Sequence, residues 1–139
     1  MNDEGIYAVQ FYSLGVPHTI IVDDYMPTRT WGRGDNTLLG HRGDDGSFWG
    51  ALIEKAFAKY WGNYKHTSGG LPHYALRTMT GAPWVNMNSS EGVDKLWDLI
   101  VSHDGQDSII NTGTNGSDHF TQNEIGLANG HAYTVIGAK

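Results

Sequence analysis

Residues 46–62, GSFWGALIEKAFAKYWG, constrain the fold more than any other stretch. Ala51, Leu52, Glu54, Lys55, Ala56, Ala58 and Lys59 are good helix formers. Phe48, Leu52, Ala56 and Lys59 fall on one stripe of that helix, and Trp49, Ile53, Phe57 and Tyr60 fall on the next. The two stripes make a wide, aromatic-rich face that has to be covered by something else in the fold. Ser47 stands where an N-cap hydroxyl would take up free backbone N–H groups. Gly62 suits the left-handed position just past the helix end. On periodicity alone, Glu54 reads as a solvated carboxylate at the polar edge of the helix, although Ile53 and Phe57 flank it.

The chain before this helix predicts a β-hairpin. Ile6–Leu14 alternates, and His18–Asp24 is rich in β-branched residues. Gly15, Val16 and Pro17 read as the turn between them. Pro27 ends the second strand, and the glycine-rich, aperiodic stretch from there to Asp45 predicts a loop. After the helix, residues 63–70 predict a polar connection. Residues 71–80 fit either a short helix or an extended piece. Gly81, Ala82 and Pro83 mark a boundary between two lobes. A second helix is predicted over Glu91–His103, with Ser89 or Ser90 as its cap and Val93, Leu96, Trp97, Ile100 and Val101 at helical spacing. Asp107–Thr112 predicts a strand, residues 113–123 a loop, and His131–Ala138 the last strand.

Composition narrows the function. At 139 residues the chain is about one domain's worth. Its five Trp, seven Tyr and four Phe are enough to build a core. A net charge of −6 argues against nucleic acid and anionic membrane surfaces as partners. No run approaches the roughly 20 apolar residues of a membrane span, and the acidic start is unlike a signal peptide. There are no cysteines. Their absence rules out disulfides, thiolate zinc sites and a cysteine nucleophile within the chain, and it is compatible with a cytoplasmic setting.

Few residues are placed to do chemistry. The seven histidines include no H-E-x-x-H pair, so a histidine zinc site could arise only through folding. Neither GDDGS nor HDGQD has the spacing of a calcium loop, and there is no P-loop, dinucleotide fingerprint or G-x-S-x-G elbow. His131 differs in context, because it opens an apolar strand directly after Gly130. It reads either as a surface residue or as a general base, since an imidazole gains and loses protons near neutrality.

Four stretches resemble the catalytic core of the calpain-type, papain-like cysteine proteases. They are FWGALIEKAFAKYWGNY with its following SGG, the hairpin YAVQFYSLG and IIVDDYMPT, the connecting TGA, and GLANGHAYTVIGAK. The resemblance implies an α+β fold, a partial two-lobed core with one long helix and antiparallel strands. Residues 1–80 would be the C-terminal part of the first lobe and residues 81–139 the N-terminal part of the second. It implies peptide-bond hydrolysis in protein substrates by a calcium-dependent cysteine endopeptidase. His131 would be the catalytic histidine, facing a groove between the lobes, and Gly130 would contact the substrate chain. Glu54 would be one ligand of a calcium ion.

The chain departs from that pattern. The resemblance places its start after the family's cysteine helix and its end before the strand that carries the orienting asparagine. Ala75 stands where the family has a substrate-binding glycine. The expectation is an internal fragment that is inactive alone and needs the remainder of the protease core. The alternatives are a non-catalytic module that binds or regulates protein partners, and a truncated remnant.

Overall fold

The computed structural model describes residues 3–31, 35–38, 43–116 and 120–139, with the side chains of residues 29–31 and 35–38 left aside. The fold is α+β. The described residues divide into two compact units, one within Met1–Gly70 and Tyr74–Ala82, the other within Leu71–His73 and Pro83–Lys139.

In the first unit, β1 (Ile6–Ser13) and β2 (Val16–Asp23) form an antiparallel hairpin, in register from Ile6 opposite Asp23 to Ser13 opposite Val16. The turn is therefore Leu14-Gly15 alone, and Val16 and Pro17, expected in the turn, belong to β2. Both turn residues have positive φ, 50° at Leu14 and 81° at Gly15. That is the backbone a two-residue loop needs to match the strand twist.

Alternation puts Tyr7, Val9 and Phe11 on the same hairpin face as Ile20 and Val22. Helix α1 (Trp49–Tyr60) covers that face. Phe11, only 1% exposed, is the largest side chain sealed there. It meets Phe57 edge-on at 5.8 Å and Tyr60 at 5.7 Å between ring centroids. Burying such a side chain contributes about 1.5–3 kcal/mol. The apolar face of α1 is narrower than periodicity predicts, because Trp49 remains 68% exposed.

Both ends of α1 can be traced to local hydrogen bonds. Ser47 is not the cap: Phe48 holds that position, with no side-chain capping hydrogen bond. Instead Asp45 Oδ1 accepts the Ser47 N–H at 2.9 Å, which commits the backbone of Ser47 to a turn before the helix. Gly62, at φ 103°, lies just beyond the C-cap residue Trp61, as its type predicts.

The expected loop between Pro27 and Asp45 contains a small antiparallel hairpin, β3 (Thr28–Trp31) with β4 (Asp35–Leu38). Counting glycines hid the β-favouring Thr-Arg-Thr-Trp run. Residues 32–34 and 39–42 of that expectation lie outside the described residues. The connection after α1 holds a 3-10 turn, Tyr64–Thr67, in which the His66 N–H donates to the Asn63 side chain at 3.2 Å. The ambiguous stretch is helical, α2 (Pro72–Thr80), with Pro72 at the first position where its missing N–H costs nothing. Gly81 follows at φ 71°, and a side chain there would come within 2.9 Å of the Tyr12 ring.

In the second unit, α3 runs over Val93–His103 and starts later than expected. Neither serine caps it: its N-cap is Gly92, without a side-chain bond, while Asn88 accepts the Ser90 N–H upstream and Glu91 reaches back to the Asn88 N–H. This capping box closes a separate 3-10 turn, Ser89–Glu91, so Glu91 is not in the first turn of α3. Strands β5 (Ile110–Gly113) and β6 (Ala132–Val135) pair antiparallel, from Ile110 opposite Val135 to Gly113 opposite Ala132. Both are shorter than their apolar runs suggested. Beyond Val135 the backbone turns off the strand, and the Ala138 N–H donates to Asp104 Oδ2 at 3.1 Å.

Candidate functional site

The environment of His131 is built from two polar segments, residues 113–116 and 120–131, brought together by the β5–β6 pair. Gly130 has φ 58°, a conformation that glycine adopts without the steric cost a side chain would incur. Its N–H donates to the Asn115 carbonyl at 3.2 Å. His131 follows, one residue before β6, with its side chain exposed rather than sealed in a core.

Hydrogen bonds hold the backbone of His131 on both sides. Its N–H donates to Thr114 Oγ1 at 3.0 Å, and its carbonyl accepts the Thr114 N–H at 2.9 Å. The Thr114 hydroxyl in turn donates to the Ala128 carbonyl at 2.5 Å. Alternation along the strand puts Tyr133 on the same side as His131, and the two rings meet edge-on at 5.1 Å. Tyr133 Oη accepts the Ala128 N–H at 2.9 Å.

The rest of the loop is equally tied. Asn123 Oδ1 accepts the N–H groups of Ile125 and Leu127, and Asn129 bonds Thr121 through both backbone and side chain. An exposed imidazole on so fixed a support can take a proton from a neighbouring acid and return it, which is the chemistry of a general base.

Sequence reasoning missed Thr114, 17 residues upstream in a polar loop, where no spacing rule connects it to His131. Tyr133 was within reach, since a residue two along a strand shares its neighbour's face. Ala75, the departure noted in the sequence, is half-buried on α2. His41 and His119 lie outside the described residues.

Glu54 belongs to the first unit, half-buried on α1. It stands near Tyr64, whose phenol is pushed above its usual range by burial first and by the negative charge of Glu54 second. Tyr64 Oη is buried without a hydrogen-bond partner. Calcium takes about six to eight oxygen ligands, most of them carboxylates and carbonyls. Among the described residues, no three His, Asp or Glu side chains are grouped to hold a metal. The residues around Glu54 therefore do not make a calcium site by themselves. No helix among the described residues is long and apolar enough to cross a membrane.

A family model described as calpain family cysteine protease matches residues 1–139. Calpain-14 of Homo sapiens is 30% identical over 135 residues, which is 97% of this chain and 19% of that protein. The calpain-1 catalytic subunit of Mus musculus is 30% identical over 138 residues, again 97% of this chain and 19% of the relative. The calpain-type cysteine protease DEK1 of Zea mays is 29% identical over 145 residues, with 97% of this chain matching 6% of its length. The chain thus spans a fifth or less of the curated relatives it matches here. With the match running the whole length of the sequence, the histidine-bearing strand and the aromatic helix included, the chain belongs to the calpain family of cysteine proteases.

Proposed function

We propose that the chain is an internal part of a calcium-dependent, calpain-type endopeptidase core acting on protein substrates in the cytoplasm. In this reading residues 1–80 complete the first lobe and residues 81–139 begin the second. His131 is the general base, and Gly130 lets the substrate backbone approach closely. One observation carries the proposal: an exposed imidazole stands on a hydrogen-bonded support within a sequence that matches the family from end to end.

The chemistry then follows from the roles. A cysteine supplied by other residues gives its thiol proton to His131, and the thiolate sulfur attacks the scissile carbonyl carbon. The imidazolium returns that proton to the departing amine as the C–N bond breaks. Water, deprotonated by the same imidazole, then releases the acyl group. This chain contains no cysteine, so alone it cannot form the acyl-enzyme. Calcium dependence is a property of the whole protein, with Glu54 contributing one ligand and other residues the rest.

The test has two arms. The isolated chain, incubated with casein and calcium, should cleave no more than its His131→Ala variant. In the full-length gene product, His131→Ala should reduce casein cleavage by at least about 10³-fold. Cleavage by the isolated chain that depends on His131, or full activity of the full-length variant, overturns the proposal.

A second reading is a non-catalytic module that binds or regulates protein partners. The flanking gene sequence separates the two. A cysteine-bearing helix upstream and an Asn-Pro-Trp stretch downstream support the protease, while other residues in those places support the binding module. Stop codons there would instead mark a truncated remnant.

A further inference from the structure

We propose that Thr114 is the positioning residue of His131, fixing the direction of the imidazole by holding the backbone that carries it. The inference rests on the general-base role proposed above for His131. The N–H and carbonyl of His131 belong to the two peptide planes on either side of its Cα, and Thr114 bonds both, at 3.0 Å and 2.9 Å. With both planes held, φ and ψ of His131 are set and only side-chain rotation remains.

That rotation is limited by the Tyr133 ring at 5.1 Å. Thr114 and Tyr133 are themselves joined through Ala128: its carbonyl takes the Thr114 hydroxyl proton and its N–H donates to Tyr133 Oη. The contacts close a circuit from His131 through Thr114, Ala128 and Tyr133 back to the His131 ring. Gly130 is tied to the neighbouring Asn115, so the residue before the histidine cannot drift either.

The hydroxyl is what makes Thr114 suitable. It accepts from one backbone group and donates to another in the same place, which only serine, among short side chains, could also do. The β-branch adds a stiff χ1, so the oxygen is held where the circuit needs it. Valine would keep the shape and the backbone bond but lose every hydroxyl contact, the longer one to the His131 carbonyl at 3.3 Å included. Because His131 is exposed, water can replace the lost acceptor, so the damage falls on geometry more than on stability. A displacement of about 1 Å in a catalytic group can cost on the order of 10²-fold in rate.

The test compares Thr114→Val with Thr114→Ser. In the isolated chain, NMR should show His131 amide exchange rising about tenfold and the His131–Tyr133 ring contact weakening in Thr114→Val, with Thr114→Ser close to wild type. In the full-length gene product, Thr114→Val should lower kcat roughly 10- to 100-fold with KM unchanged, and Thr114→Ser should restore most of it. If His131→Ala silences the product while Thr114→Val keeps full kcat, the positioning role is wrong. If His131→Ala itself leaves activity intact, the general-base reading fails first. The NMR comparison then decides the clamp by itself, and an unchanged His131 amide and ring contact in Thr114→Val sinks it.

Discussion

The Lys55 ammonium lies 2.5 Å from Asp23 Oδ1, joining the middle of α1 to the end of β2 across 32 residues of chain. The same nitrogen donates to the carbonyls of Asp23 and Tyr25, at 3.1 Å and 2.6 Å. Its three donors are thus all engaged on one chain segment. One turn along the helix, Lys59 donates to the Ile21 carbonyl at 2.8 Å. The hairpin register turns the Ile21 and Asp23 carbonyls away from β1, so the lysines satisfy acceptors that β1 does not reach.

This arrangement makes the stability of the chain sensitive to acid. The Lys55 hydrogen bond, followed by the Tyr25 N–H, holds the Asp23 carboxyl below its ordinary value of 3.8. A carboxyl depressed in the folded state stabilises fully above its unfolded pKa, and the benefit disappears as pH falls through the folded one. Thermal melts from pH 7 down to pH 2 should show wild type above Asp23→Asn near neutrality, with the gap closing below about pH 4. A gap that stayed constant across the range would deny Asp23 this role.

Phe11 anchors the only described core. Phe11→Ala removes a side chain that is 1% exposed and that contacts both Phe57 and Tyr60. The expected cost is about 3–5 kcal/mol, read from urea unfolding followed by tryptophan fluorescence. A loss below about 1 kcal/mol would mean that α1 does not depend on the hairpin face for its packing.

Leu14 invites the opposite experiment. It has a φ of 50° and is largely exposed, so its side chain gains little to offset the strain. Asn tolerates this conformation far better, and Leu14→Asn creates the Asn-Gly pair that such turns favour. The variant should gain about 1 kcal/mol and melt higher. A lower melting temperature would show that Leu14 makes a contact worth more than its strain.

What could be read from the sequence was what repeats. α1, α3 and the first hairpin follow from apolar periodicity, because burying one face is what stabilises such elements. Their ends did not follow, since caps are decided by single hydrogen bonds: Asp45 engages Ser47, and Asn88 rather than Ser89 or Ser90 opens the turn before α3. The β3–β4 hairpin was hidden by its glycines. His131 and Gly130 stood out through context and family likeness. Thr114 could not be seen, because its role comes from chain segments that meet only when β5 and β6 pair.

Every side chain sealed from solvent among the described residues lies in the first unit, whereas the support of His131 lies in the second. Its platform is therefore made of polar bonds and not of dry packing. Each such bond is worth only about 0.5–1.5 kcal/mol net and depends on direction. Such a mounting aims well yet resists solvent poorly, so its accuracy would be lost under mild denaturation while the aromatic hairpin still stood.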